Sequence, residues 1–449
     1  MGRQWASYFD DRLPRYTSYP TAPRFSDGVT PASYAAWLAM LAPQTGTSLY
    51  LHVPFCRSMC WYCGCHTTIT RRDEPIGDYV AILRQEIELV AGKVQAPLAV
   101  RHIHFGGGTP TIVAPDAFLS LMTLLRTRFA VSPTAEIAVE IDPRTLTPVM
   151  AKALGAGGVT RASLGVQSFD PAVQQAINRI QSVATTAATV ENLRAAGIAG
   201  INFDLIYGLP LQNVESCVQT VRQCLAMNPG RFSVFGYAHV PDFKKHQRKI
   251  SEADLPDSQA RYAQAEAIAA LLGAAGYVRI GLDHFARPDD AMARAQTMGR
   301  LHRNFQGYTT DDCQTLIGFG ASAIGRLPQG YVQNDTGLGR YAQRIRNGML
   351  ATMKGYCLTK EARLRAELIE RIMCDMAVDM AAVCARHGVS TAILAPAMAR
   401  MHQLAGDGIA VIDGSRITVP DPARPLVRTV AAAFDAHLAQ PGRKFSRAV

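Results

Sequence analysis

No apolar run in this 449-residue chain approaches the roughly 20 residues that a bilayer span needs, so no membrane is expected as a partner. The leading residues Met1-Gly-Arg-Gln-Trp-Ala-Ser carry no apolar signal core. Together these absences point to a reducing cytoplasm, where free cysteines are at home and a disulfide framework is not expected. No second Cys-x-x-Cys hook exists to complete a paired zinc site. No dense Lys/Arg block appears either: the 46 basic and 36 acidic residues leave a net charge of +10, spread thinly. Such a field attracts polyanions, yet without a clustered basic face nucleic acid is not expected. An acidic small substrate fits the same charge. There is no low-complexity tract and no internal repeat beyond the strand–helix alternation described below.

What is present is a cysteine cluster. Four of the ten cysteines fall in Cys56-Arg-Ser-Met-Cys60-Trp-Tyr-Cys63-Gly-Cys65, and the other six are scattered. Clustered thiolates are soft ligands and select zinc, copper(I) or iron–sulfur clusters over magnesium or calcium. The spacing Cys56-x3-Cys60-x2-Cys63 suits three irons of a [4Fe–4S] cube and leaves the fourth iron open to a small molecule.

From residue 48 onward, β-rich runs alternate with stretches of helical period. The runs lie at 48–53, 101–105, 136–141, 161–166, 201–206 and 231–238, and the helical stretches at 76–92, 115–129, 147–155, 182–196 and 213–227. This alternation predicts repeated βαβ units and an α/β fold, a partial (β/α)6 barrel. Glu140, Gln167 and Asp204 each point away from their apolar strand neighbours, near the carboxyl end of a predicted strand. Parallel barrels build their sites at that end, so three such residues on successive strands predict a converging site. The organisation expected is a polar N-terminal arm (1–40), a core barrel (41–275), an irregular glycine-rich extension (276–355) with one strand at 277–285, and a small domain (356–449). The last is mostly helical and winged-helix-like, with helices at 359–385, 390–404 and 424–439 and a hairpin at 408–412 and 416–419. Thr359 is its expected N-cap.

Gly106-Gly-Gly-Thr-Pro110 follows directly on the second strand, where bare backbone can grip the charged ends of a small molecule. It lacks the lysine of a nucleotide P-loop. With an aromatic, Tyr62, just before the third cysteine, the chain resembles the radical S-adenosylmethionine (SAM) superfamily. Further motifs narrow this. Arg15-Tyr-Thr-Ser-Tyr-Pro20, the extra Cys65, Asp204-Leu-Ile-Tyr-Gly-Leu-Pro210, Tyr237-Ala-His239, Asp283-His-Phe-Ala-Arg-Pro288 and His302-Arg-Asn-Phe-Gln-Gly-Tyr-Thr-Thr310 resemble the oxygen-independent coproporphyrinogen III oxidase family over nearly the whole length.

The resemblance implies a [4Fe–4S] cluster on Cys56, Cys60 and Cys63, with Cys65 not a ligand, and two SAM molecules. Tyr50, Gly107, Glu140 and Ile324 would lie against the first SAM, and Tyr62, Gly108, Thr109, Gln167, Arg179, Asp204 and Ala238 against the second. It also implies radical oxidative decarboxylation of two propionates of coproporphyrinogen III to vinyl groups, a donor such as flavodoxin or ferredoxin, and a monomer. His52, Arg287 and Arg303 are candidates for anchoring the substrate carboxylates. The competing readings are a heme chaperone on the same barrel, against which Cys65 and the 302–310 block argue, a nucleic-acid-modifying radical enzyme, and a zinc structural protein.

Overall fold

The structure is a computed structural model, and it describes residues 5–438 together with the short strand Ser446–Arg447. The outer ends of the expected arm and small domain (1–4, 439–445 and 448–449) lie outside the described residues.

Six parallel strands form the centre: β1 (Thr47–Val53), β2 (Ala99–Gly107), β3 (Ala130–Ile141), β4 (Arg161–Gln167), β5 (Gly200–Tyr207) and β6 (Arg231–Gly236). Between them run α1 (Glu74–Ala91), α2 (Pro115–Arg128), α3 (Pro148–Ala156), α4 (Val183–Ala195) and α5 (Val214–Ala226); α6 (Ser258–Ala274) follows β6. Local chemistry starts these helices where the periodicity predicts. Thr147, Ser182 and Asn213 each accept a hydrogen bond from a backbone N–H of the first turn, and Asp257 does the same for α6. The strands alternate in the expected sense: Ile137, Val139 and Ile141 are buried outward against the helices, while Glu140 faces the barrel interior.

The sheet extends past the six strands on both sides, into twelve in all. The single strand expected at 277–285 is an antiparallel hairpin, β7 (Val278–Ile280) and β8 (His284–Ala286), because Gly281 turns the chain at φ +53° and β8 pairs back onto β6. The segment expected to be irregular is largely ordered. It contributes β9 (Thr315–Phe319), parallel to β1, then the antiparallel β10 (Ile324–Leu327), β11 (Gly330–Asn334) and β12 (Thr352–Cys357). These strands are four to six residues long, so no single one gives a readable alternation; the helix Leu338–Arg346 lies between β11 and β12.

The N-terminal residues are not a loose polar arm. Trp5, Tyr8, Phe9, Leu13, Tyr16 and Tyr19 are buried in one cluster with Leu364, Leu368, Ile372, Val427 and Phe434 of the C-terminal region. Arg12–Leu13 also pairs antiparallel with Ser446–Arg447. In that region Thr359 caps α7 (Lys360–Asp375), accepting from the Ala362 N–H at 3.1 Å. The helix expected over 359–385 is broken: Met376 takes a left-handed conformation (φ +55°), the strand Ala377–Asp379 follows, and Asp379 caps a second helix, Met380–His387. That strand pairs with the hairpin Val411–Asp413 and Arg416–Thr418. Among the described residues no helix is long and apolar enough to cross a membrane.

Candidate active site

The carboxyl ends of β2 to β6, with the cysteine loop that follows β1, surround a cavity of about 560 Å³, a volume within the usual range for cofactor and small-molecule sites. Its walls include Cys56, Cys60, Cys63, Tyr62, Gly107, Gly108, Thr109, Glu140, Gln167, Arg179, Asp204 and Ala238. The strand ends bring together residues that lie up to 182 positions apart in the chain. Tyr50 and Ile324 do not line it. The Tyr50 hydroxyl stands behind Glu140, bonded to His52 Nδ1 at 3.0 Å, and Ile324 lies on β10, two strands from β1.

The cysteine loop is clamped at several points. The Trp61 N–H donates to the Ile177 carbonyl at 2.9 Å, and Asn178 Nδ2 donates to the Met59 carbonyl at 2.8 Å. From the other side Gln247, His246 and Lys244 donate to the carbonyls of Tyr62, Cys63 and Cys65 at 2.9, 2.7 and 2.9 Å. The sulfurs of Cys56, Cys60 and Cys63 also have donors aimed at them. Thr67 and Thr109 hydroxyls approach Cys56 Sγ at 3.4 and 3.3 Å, Arg144 and Arg179 approach Cys60 Sγ at 3.4 and 3.5 Å, and the Cys65 N–H approaches Cys63 Sγ at 3.4 Å. Such donors favour thiolate, the ligating form. The Cys63 thiol is pulled down to about 7, chiefly by its hydrogen bond with Cys65; burial pushes the Cys56 thiol up against its two threonine donors.

The donor set therefore fits an iron–sulfur cluster: three thiols on one clamped loop, with donors poised on their sulfurs. The cradle beside it fits a SAM-sized ligand. A Cβ at Gly108 would stand 2.5 Å from the Phe55 carbonyl oxygen, and Gly107 has φ +118°, so side chains are excluded from both positions. The Gly107 N–H donates to Glu140 Oε2 at 3.1 Å, and His104 Nε2 lies 3.2 Å from Glu140 Oε1. These contacts outweigh burial and hold the Glu140 carboxyl below its ordinary range. Asp204 accepts from Ser163 at 2.8 Å and from Asn202 at 2.9 Å, but burial pushes its carboxyl up to about 6. Gln167 sits at φ +66°, and its buried Oε1 has no partner among the described residues, an acceptor left for a ligand donor.

Sequence reasoning missed Asp142 and Arg144. They follow β3 immediately, and Arg144 grips Asp142 through Nε at 2.9 Å and Nη2 at 2.6 Å. Arg179, expected at the site, reaches it from the loop after β4, 3.3 Å from the same carboxylate and 2.6 Å from the Gly165 carbonyl. A carboxylate and a guanidinium flanking Pro143 just past a strand end were the available signal. Of the three anchoring candidates, His52 is buried behind the glycine turn and Arg287 lies at the amino end of β6, its N–H on the Gly230 carbonyl. Neither lines the cavity; Arg303 lines a smaller one adjoining it and also a separate one of about 580 Å³ beside the C-terminal region.

Comparison with known proteins agrees with this geometry. Residues 50–224 match the radical SAM superfamily. The chain is 62% identical to an oxygen-independent coproporphyrinogen III oxidase from Bradyrhizobium diazoefficiens, over 99% of this chain and 98% of that one. The chain belongs to the oxygen-independent coproporphyrinogen III oxidase family. A Paracoccus denitrificans relative of the same name is 40% identical over 96% of this chain and 95% of its own. The solved coproporphyrinogen III oxidase from Escherichia coli, described as a radical SAM enzyme, superposes with a TM-score of 0.90 at 38% identity, covering 95% of this chain and all of that one. Family membership brings with it a [4Fe–4S] cluster and SAM.

Proposed function

We propose that the protein converts two propionate side chains of coproporphyrinogen III to vinyl groups without oxygen, giving protoporphyrinogen IX in porphyrin and heme biosynthesis. The observation that carries this reading is the placement of three clamped cysteines and a glycine cradle at the carboxyl ends of the barrel strands, in a chain related end to end to enzymes of that name.

A propionate β-hydrogen is not acidic, so a general base cannot start the reaction. The cluster and SAM, when bound, supply a carbon radical able to take that hydrogen as an atom. Loss of the hydrogen atom, carbon dioxide and one electron then balances propionate to vinyl. The chain's own residues position and shield. Cys56, Cys60 and Cys63 hold the metal, and Cys65 serves as a donor to Cys63 rather than as a ligand. Gly107 and Glu140, with Tyr50 behind them and Ile324 beyond, form the first SAM position. Tyr62, Gly108, Thr109, Gln167, Arg179, Asp204 and Ala238 form a second. The carboxylate of Glu140, half-buried on the cavity wall, suits an ammonium or ribose hydroxyls. The N-terminal segment and the C-terminal domain, which share one core, act as a unit that screens the site from water. The protein works as a cytoplasmic monomer with a flavodoxin- or ferredoxin-type electron donor.

Anaerobically reconstituted protein supplied with SAM, a reductant and coproporphyrinogen III is expected to release carbon dioxide and form the divinyl product. Retained turnover after Cys56→Ser, Cys60→Ser or Cys63→Ser would sink the assignment.

A further inference from the structure

Beside the main cavity lies a second of about 60 Å³. The two share Arg15, Phe235, Gly236 and Tyr237 as walls. Five arginines line the small cavity, Arg15, Arg261, Arg279, Arg303 and Arg428, against one carboxylate, Asp283. They come from five separate parts of the chain: the N-terminal segment, α6, β7, the 302–309 hairpin and the C-terminal helix Val427–Ala432. Convergence of like charge from so many elements costs folding energy and needs a compensating anion.

Part of this charge is met by groups of the chain itself. Arg279 lies 3.3 Å from Glu266, and Arg261 donates to the Tyr237 carbonyl at 2.9 Å. Asp283 is engaged by His284 at 2.8 Å. Arg303 donates through Nη2 to the Arg15 backbone carbonyl at 3.3 Å, and its guanidinium carbon stands 4.3 Å from the centre of the Tyr308 ring. Its Nε and Nη1 are buried with no acceptor among the described residues. Two unmatched N–H groups on a buried cation are costly. The Arg15 side chain is exposed at the boundary of the two cavities, with Nη2 on the Gly236 carbonyl at 3.0 Å. Burial and then the charge of Arg15 push the Arg428 guanidinium down to about 10.

We propose that Arg303, assisted by Arg15 at the boundary, receives one carboxylate of the substrate, so that a propionate arm reaches from the main cavity into the small one. This rests on the proposed function and adds to it the groups that recognise the substrate. A carboxylate oxygen accepts a charge-assisted hydrogen bond from a guanidinium N–H, and Arg303 has Nε and Nη1 to offer. An arginine grip also keeps a carboxylate ionised and in place, which suits a propionate that holds the ring rather than one that departs as carbon dioxide.

The test measures the dissociation constant of coproporphyrinogen III by anaerobic equilibrium dialysis against the reconstituted full-length protein, alongside carbon dioxide release. Arg303→Met is expected to weaken binding at least tenfold while iron content stays at the wild-type level. Arg303→Lys is expected to recover part of the loss, and Arg15→Met to weaken binding less than Arg303→Met. An unchanged dissociation constant in Arg303→Met overturns the proposal, as does a fall in turnover alone. If Arg303→Met loses its iron, Arg15→Met decides, and unchanged binding there overturns the proposal. Tight wild-type binding with no carbon dioxide release would instead defeat the proposed reaction, while the variants still decide the carboxylate subsite.

Discussion

Gly108→Ala places one methyl group where the structure has least room for it. Its Cβ would stand 2.5 Å from the Phe55 carbonyl oxygen, 2.8 Å from the Phe55 carbonyl carbon and 2.6 Å from Thr67 Oγ1. Ordinary contact begins near 3.4 Å, so about 0.9 Å must be found. Thr67 can swing away at the cost of its bond to Cys56 Sγ; the Phe55 backbone cannot move cheaply. Its carbonyl also accepts from the Thr109 N–H at 2.8 Å, and its ring is buried edge-on against Tyr79, centroids 5.4 Å apart. Phe55 immediately precedes Cys56, so either response displaces the first cysteine or loosens its thiolate. A misplacement of about 1 Å in a reacting assembly costs on the order of 100-fold in rate, and strain of this kind costs about 1–3 kcal/mol of stability. The variant is expected to fold with a lowered denaturation midpoint, to retain less iron after anaerobic reconstitution, and to release carbon dioxide about 100-fold more slowly. Gly77→Ala is the control, since nothing lies within 4 Å of its added Cβ on the exposed face of α1. Full iron content with wild-type turnover in Gly108→Ala would refute the claim that the turn dictates the position of the cysteine loop.

Two further outcomes follow from buried charge. Asp142→Asn leaves Arg144 and the buried Arg179 facing each other beside Cys60 without their shared carboxylate, and is expected to cost about 3 kcal/mol in chemical denaturation; a change below about 0.5 kcal/mol would sink this account. Glu86 on α1 is buried and accepts from the Gly320 N–H, Asn334 Nδ2 and the Tyr341 hydroxyl at 2.6, 2.6 and 2.7 Å, yet burial outweighs these bonds and pushes its carboxyl up from 4.5 to about 7. The native state then holds a proton that the unfolded chain has already released. The contribution of this group to stability is therefore greatest below pH 4.5, falls as pH rises to about 7 and is flat above, by at most about 3 kcal/mol in total. Urea titrations at pH 5 and pH 8 are expected to show this fall in the wild type and its loss in Glu86→Gln; parallel profiles would refute it.

The parts of this protein that the sequence itself determined are those governed by short-range rules. Cysteine spacing selects a metal chemistry because three thiolates on one loop are already near one another before the chain folds. Alternation along β3 sends Glu140 inward because successive side chains on a strand face opposite ways, and Thr359 caps α7 because its hydroxyl needs only a neighbouring N–H. Tertiary structure decided whatever depends on residues distant in the chain. The aromatic side chains of residues 5–19 pass for part of a polar arm because their partners, around Leu368 and Phe434, lie more than 340 positions away. β9 becomes readable only once β1 supplies its parallel neighbour. Asp142 joins the site because Arg179 returns to it from another strand end, and packing alone leaves Arg303 Nε and Nη1 buried without an acceptor among the described residues. Periodicity records which face a residue takes; only the packed chain records what that face meets.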